Sequence, residues 1–456
     1  MTKILFFTAV LLGIFSLAEN SQAATINVVD ASGQPSCEQV DVQTAVNSAV
    51  SGDSILMSTG ECVWTNGVTI NNKAIFIIGA GIGQTVIMDN ISDTWASALF
   101  WTDACADNLR LSGMTINRSS SRTNASIAIR GNCKNWRIDH IAFNASAMTG
   151  VTRAIMVQST TASYPHPSGL IDHFSYNKLG STSASPVIIM GADDAVTKND
   201  AWSQDINWGG SDWVFIEDSI FDFSAVYGQT NSFQDGAIDC GRGAKYVFRH
   251  NIVKGTEIGG HGYDSSPRSC LAMEIYNNQI SNNGANPTQA IHLRGGTAYI
   301  YDNAITGNYR YAIGLQNYRS CSESPCFTSA VNQCQNDTKD WCDGNTVANI
   351  NQLGDGNTFP AGTYHGWPCR DQIGRGPNQT SSPLYQWNNT KDNSIVISPT
   401  VRDAGAGTCY TMIHIQAERD YFNSTPSGYT PYAYPHPLTI IADTTPPAPP
   451  SGLIIN

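Results

Sequence analysis

Phe248-Arg-His-Asn-Ile-Val253, Ile275-Tyr-Asn-Asn-Gln-Ile280 and Ile300-Tyr-Asp-Asn-Ala-Ile305 share one outline, an apolar residue, a polar pair, and an apolar close. The same six-residue unit stands at Leu111-Ser-Gly-Met-Thr-Ile116, Ile138-Asp-His-Ile-Ala-Phe143, Ile171-Asp-His-Phe-Ser-Tyr176 and Ile216-Glu-Asp-Ser-Ile-Phe221. Start-to-start intervals are 27, 33, 45, 32, 27 and 25 residues. Unequal intervals exclude a strict helical repeat and suit a solenoid whose short strands stack while its loops vary in length. In such a stack Asn251, Asn278 and Asn303 lie above one another in a turn, with their amides bonded along the pile.

Working outward, the N-terminal side carries one helical pattern. Val42, Ala45, Val46 and Ala49 follow i, i+3, i+4, i+7 within residues 38–50, and Ser51-Gly52-Asp53 ends the run. Short strand patterns bounded by Gly, Asn and Asp follow, among them Gly67-Val-Thr-Ile70 and Ala74-Ile-Phe-Ile-Ile-Gly79. Before them, Lys3, the apolar run 4–17 and Ser21-Gln22-Ala23 form a secretory leader pattern, with cleavage expected after Ala23. No later stretch has the roughly 18 apolar residues that span a bilayer. The expected address is secreted or periplasmic, without membrane insertion.

Composition agrees with that address. The 456 residues hold 25 Lys+Arg against 37 Asp+Glu, a net charge of −12, and only 14% charged residues, which argues against nucleic-acid binding. Twelve cysteines, with no CxxC pair, favour disulfides over zinc. Cys105–Cys133 and Cys240–Cys270, 28 and 30 residues apart, are spaced as bridges between neighbouring coils, and the four cysteines in 321–342 as local staples.

Val42-Gln-Thr-Ala-Val46, Ser51-Gly-Asp-Ser-Ile-Leu56, Val68-Thr-Ile70, Ile77-Ile-Gly-Ala-Gly81 and Val86-Ile87, followed by the repeats, resemble the pectin-lyase-like parallel β-helix superfamily over about residues 38–320. The resemblance implies an all-β, right-handed parallel β-helix of roughly ten coils, closed by the 38–50 helix as an N-terminal cap. It leaves activity open, because this fold carries lyases, hydrolases, esterases and adhesins. The expected divisions are a leader at 1–23, the β-helix with its cap at 24–356, an aromatic-rich cover at 357–441 and a Pro-rich tail at 442–456.

Side chains of a stacked strand alternate inward and outward, so outward residues form columns at about 4.8 Å per coil. Before the later repeat units the chain reads Ala237-Ile-Asp-Cys-Gly-Arg242, Glu257-Ile-Gly-Gly-His-Gly262, Ala290-Ile-His-Leu-Arg-Gly295 and Ala312-Ile-Gly-Leu-Gln-Asn317. With the isoleucines inward, Asp239, His261, His292, Arg294 and Gln316 share one outer face. Arg249 and Glu274 point outward from the next sheet, where they form a candidate ion pair. Residues 234–296 hold six Lys and Arg against five Asp and Glu, and three of the nine His, in an otherwise acidic chain.

Three readings follow. β-Elimination from an acidic polysaccharide needs a carboxylate neutraliser, a base and an acid. Arg294 or Arg249 fits the first role and His261 or His292 the second, with Asp239 beside them and Asp235, Arg268, Glu274 and Gln316 as substrate contacts. No cofactor is expected. Calcium lacks a ligand motif, Asp193-Asp194 being the one weak candidate. Hydrolysis is the alternative: Gln234-Asp-Gly-Ala-Ile-Asp-Cys240 with Gly260-His-Gly262 is similar to the polygalacturonase pattern, although Gly236 replaces its second Asp. The third reading is a non-catalytic binding or adhesin surface, for which Trp202, Trp208, Trp213 and Tyr227 are aromatic candidates. In each case the partner is an extended polysaccharide and the protein a monomer.

Overall fold

The computed structural model describes residues 23–92, 98–102, 104–120, 124–146, 153–159, 167–180, 186–191, 201–226, 236–264, 268–284, 288–316, 319–320, 371–402 and 415–440. They form a parallel β-helix with three sheets. The third sheet is the simplest to follow: ten parallel strands, from Val68–Thr69 through Ile127–Arg130, Ile155–Gln158, Ile188–Gly191, Ile238–Gly241, Ile258–Gly260 and Thr288–Leu293 to Tyr309–Gln316 and Thr400–Arg402. The repeat units build the other two. Long strands such as Lys134–Ala145 and Ser168–Lys178 bend through both sheets, and from Val214 onward each splits in two, as in Lys245–Arg249 and Ile252–Lys254.

In the last three units the polar third and fourth residues make that bend. The first member, His250, Asn277 or Asp302, has φ of 56°, 54° or 52°, a left-handed conformation that Asn, Asp and His tolerate better than other non-glycine residues. The second member is buried and forms the expected ladder. Asn251 Nδ2 donates to Asn278 Oδ1 at 3.2 Å, Asn278 Nδ2 to Asn303 Oδ1 at 2.9 Å and Asn303 Nδ2 to Asn389 Oδ1 at 2.8 Å. Each of these side chains also donates to a backbone carbonyl of the preceding coil, those of Ile216, Phe248 and Ile275. The ladder extends one rung beyond expectation, to Asn389, because Leu384–Trp387 and Thr390–Lys391 pair in parallel with Thr297–Tyr301 and Ala304–Gly307 as a further coil. The β-helix therefore continues past residue 356, where its end was expected.

Inside, the isoleucines of the third sheet, Ile127, Ile155, Ile188, Ile238, Ile258, Ile291 and Ile313, stack with the repeat residues Leu111, Ile138, Ile171, Ile216, Phe248, Ile275 and Ile300 in one continuous core. Stacking buries each apolar face that a lone coil would expose. The helix Gln39–Ser48 covers the first coil with Val42, Ala45 and Val46, as expected of a cap that protects an open end. Lys73 Nζ donates to the carbonyls of Val46 and Asn47 at the helix C-terminus, where a cation is favoured. Both expected disulfides are present, Cys105–Cys133 and Cys240–Cys270, with Cα separations of 5.4 and 5.2 Å, and a third joins Cys37 to Cys62. The cysteines of 321–342 lie outside the described residues. Disulfides fit an oxidising compartment, and no helix among the described residues is long and apolar enough to cross a membrane.

Residues 429–440 run as a strap along the outer face of the first sheet, the one that holds Val214–Glu217, Lys245–Arg249 and Ala272–Tyr276. Tyr429 donates to Glu274, Arg249 to the carbonyls of Tyr432 and Ala433, the His436 amide to Glu217, and Arg137 to the carbonyl of Leu438. This Tyr- and Pro-rich segment thus lies along a flank of the β-helix.

Candidate functional site

Strand register places two outward columns on the third sheet. One runs Trp101, Ala128, Met156, Ile189, Asp239, Gly259, His292. In the next, two residues further along each strand, stand Arg130, Gln158, Gly191 and Gly241, followed by His261 and Arg294. Beside them lies a cleft of about 400 Å³ lined by Trp101, Met156, Ile189 and Asp239 of the first column and Arg130, Gln158, Gly191, Gly241 and His261 of the second, together with Asn124, Arg153 and Arg242. The trough exists because side chains are missing at Gly191 and Gly241. A Cβ on Gly241 would meet nothing nearer than the Arg268 carbonyl at 3.5 Å and His261 Cβ at 3.7 Å.

His261 is held by its backbone. Its amide donates to the Cys240 carbonyl at 2.8 Å and its carbonyl accepts from the Cys270 amide at 3.1 Å, so both halves of the Cys240–Cys270 disulfide position it. Its ring Nδ1 lies 2.9 Å from Asp239 Oδ2 and 2.9 Å from Arg294 Nη2. Burial alone would raise the Asp239 carboxyl. The charge of His261, its hydrogen bond and the charges of Arg294 and Arg153 outweigh burial and hold it below the ordinary value. Burial lowers the Arg153 guanidinium, with the Asp239 charge working against that. Arg130 lies over the Trp101 ring, 4.7 Å from its centroid, a favourable cation–π geometry. The cleft therefore combines three guanidinium groups, those of Arg130, Arg153 and Arg242, with one imidazole. Asp239 is the one carboxylate among its described lining residues.

The structure brings together only part of the expected set. Asp239, His261 and Arg294 meet as expected. His292 shares the sheet but is 4% exposed, its Nε2 2.9 Å from Gln316 Oε1 and its Nδ1 3.5 Å from Glu257. Both His292 and Gln316 serve that buried network. Arg249 is corrected: it lies on the first sheet, fully buried, bonded to Glu217, to the Tyr276 hydroxyl and to the strap. Its ionic partner is Glu217, not Glu274. Glu274 is buried beneath the strap, accepting from Tyr429 at 2.6 Å and from the Gly209 amide at 2.8 Å, so it faces no substrate. Arg268 is also corrected, since both arms of its guanidinium grip Asp371 and it stacks over Trp202. Asp235, Asp193, Asp194 and Tyr227 lie outside the described residues. Trp202 and Trp213 are buried packing residues, and Trp208 stacks on Tyr299 at 3.8 Å. Among the described residues no group of three or more His, Cys, Asp or Glu is arranged to hold a metal ion.

Sequence reading missed Trp101, Arg130, Arg153, Met156, Gln158 and Arg242. The signal for two of them was in plain view. Ser126-Ile-Ala-Ile-Arg130 and Ala154-Ile-Met-Val-Gln158 repeat the alternation read only in the later coils, and extending it toward the N-terminus would have placed Arg130 and Gln158 in the column.

No known family model matches the chain, and no curated protein matches it. Among solved structures, the catalytic domain of a GH87 alpha-1,3-glucanase in complex with nigerose is 11% identical, covers 86% of this chain and 70% of its own, and has a TM-score of 0.31. A variant of such a catalytic domain with tetrasaccharides is 12% identical, with the same coverage and a TM-score of 0.27. These likenesses are too distant to bear on the chemistry of the cleft.

Proposed function

We propose that the protein is a secreted polysaccharide lyase of the pectin-lyase-like β-helix group, with residues 1–23 as its leader, that cleaves an acidic, uronate-bearing chain in the third-sheet cleft. The observation that carries this reading is the lining itself: Arg130, Arg153 and Arg242 beside the His261–Asp239 pair, with a single carboxylate. Guanidinium groups pair with carboxylates in a fixed fork geometry, so a uronate is the sugar that three of them fit. Neutralising its carboxylate acidifies the adjacent C5–H. His261 takes that proton, the C–H electron pair becomes the C4–C5 double bond, and the C4–O bond breaks. The leaving oxygen takes a proton from water in the open cleft. Hydrolysis by either stereochemical course commonly needs two carboxylates across the scissile bond, and the described lining offers one.

The test is a panel of polygalacturonate, alginate, a glycosaminoglycan and a neutral glucan, followed at once for ultraviolet-absorbing unsaturated ends and for reducing ends. Both signals rising together on an acidic polymer support elimination. Reducing ends without unsaturation would replace it by hydrolysis, and binding without either would favour a non-catalytic surface.

A further inference from the structure

Two neighbours of opposite charge contend for one nitrogen of His261. Nδ1 stands 2.9 Å from Asp239 Oδ2 and 2.9 Å from Arg294 Nη2, and that guanidinium is also 3.7 Å from Asp239 Oδ1. A neutral imidazole carries one ring N–H and one lone pair. Nδ1 can donate to the carboxylate or accept from the guanidinium, but not both. If Nδ1 carries the proton, Arg294 faces it donor to donor. If Nε2 carries it, Asp239 faces the Nδ1 lone pair acceptor to acceptor. Asp239 and Arg294 are 8% and 7% exposed, so water does little to screen either contact, and in a nearly dry site both are strong. The backbone keeps all three residues in place: the His261 amide donates to Cys240, the Arg294 amide to Gly260, and Asp239 sits within a strand.

We infer that Asp239 and Arg294 together set which ring nitrogen of His261 carries the proton, so that the neutral ring exchanges between an Nδ1–H form donating to Asp239 and an Nε2–H form accepting from Arg294. Arg294 is then a positioning residue acting through His261. The catalytic consequence rests on the lyase reading above. In the Nδ1–H form the Nε2 lone pair is the base. After it takes the C5 proton the ring is an imidazolium, with Nδ1–H on Asp239 and the new proton on Nε2. Releasing the Nε2 proton to water restores the base, whereas the Nε2–H form is idle. Asp239 favours the working form and Arg294 the idle one, so the pair sets the fraction of enzyme ready to act.

The test uses the folded full chain labelled with ¹⁵N-histidine and needs no substrate. Long-range ¹H–¹⁵N spectra report the tautomer, and His261→Gln identifies the His261 signals by their loss. The wild type is expected to give ring shifts between the two single-tautomer patterns. Arg294→Gln should move the ratio toward Nδ1–H, and Asp239→Asn toward Nε2–H, each at least about tenfold, the weight of one charge-assisted hydrogen bond. Arg294→Lys keeps a cationic donor and should keep the intermediate pattern; Arg294→Met takes the place of Arg294→Gln if the latter does not fold. A single wild-type tautomer, unmoved by Asp239→Asn and by whichever of Arg294→Gln and Arg294→Met folds, overturns the inference. The outcomes separate cleanly: inactivity on every polysaccharide defeats the lyase reading and leaves the tautomer result standing, whereas unmoved tautomers in an active enzyme defeat this inference alone.

Discussion

Replacing Asn278 by Ala removes the central rung of the buried ladder, and its cost can be worked out bond by bond. The side chain donates to the Phe248 carbonyl and to Asn303 Oδ1, both at 2.9 Å, and accepts from the Asn251 amide at 3.0 Å and from Asn251 Nδ2 at 3.2 Å. Asn303 Oδ1 keeps the Asn278 backbone amide, and Asn251 Nδ2 keeps the Ile216 carbonyl. The Asn251 amide loses its acceptor in a site that is 0% exposed. One orphaned donor costs about 1–3 kcal/mol and each of the three further lost bonds about 0.5–1.5, so the expected destabilisation is about 2.5–7.5 kcal/mol. The control is Asn144→Ala. Asn144 sits in a second, partly exposed ladder, donating to Asn117 and accepting from Asn177 at 2.8 and 2.9 Å. Water replaces those bonds, so the expected cost is about 1 kcal/mol or less. Urea unfolding of both variants under non-reducing conditions measures the difference. Equal midpoints, or a larger shift for Asn144→Ala, would refute the assignment of stability to the buried ladder.

His261→Ala should lower turnover on the productive polysaccharide at least about 100-fold, as loss of a general base does, while His292→Ala, whose ring serves a buried network, should cost less than about tenfold; comparable losses would move the base. Gly241→Leu should fill the trough and raise KM with little change in melting temperature, since its Cβ meets only ordinary contacts; unchanged kinetics would place the substrate elsewhere. Burial, aided by the charge of Arg249, pushes His436 down to about 4. A folded-state value below the unfolded one means stability present above about pH 6.5 and lost as pH falls toward 4. Protection factors of residues 429–440, exchange rates corrected for the intrinsic pH dependence, should therefore fall over that window, and His436→Asn, which keeps an acceptor for the Leu438 amide, should flatten the change.

The architecture was legible because it rests on patterns local to each coil. The alternation around Ile238, Ile291 and Ile313 fixes which residues face the core, and the pairs Asn277-Asn278 and Asp302-Asn303 mark the bend. The chemistry was legible only where adjacent columns of one sheet face carried it. Asp239, His261 and Arg294 come from successive coils and were read together, whereas Arg153 and Arg242 flank strands whose neighbours are set by packing. Arg249 and Glu274 misled for a physical reason. They do point outward, but a segment 155 to 184 residues later in sequence covers that face, and its backbone carbonyls and hydroxyl supply the partners. Alternation tells which way a side chain points, not whether solvent is there to meet it.

The ladder passes from Asn278 to Asn303 over 25 residues, then from Asn303 to Asn389 over 86, with the same hydrogen bonds at both steps. By closure entropy alone, lengthening a connection by that ratio costs only about 1 kcal/mol. A coil boundary of this kind is a splice point: the scaffold registers where the chain returns and is nearly indifferent to how much was inserted on the way. New sequence can be acquired there, or grafted there by design, without renegotiating the geometry of the coils on either side.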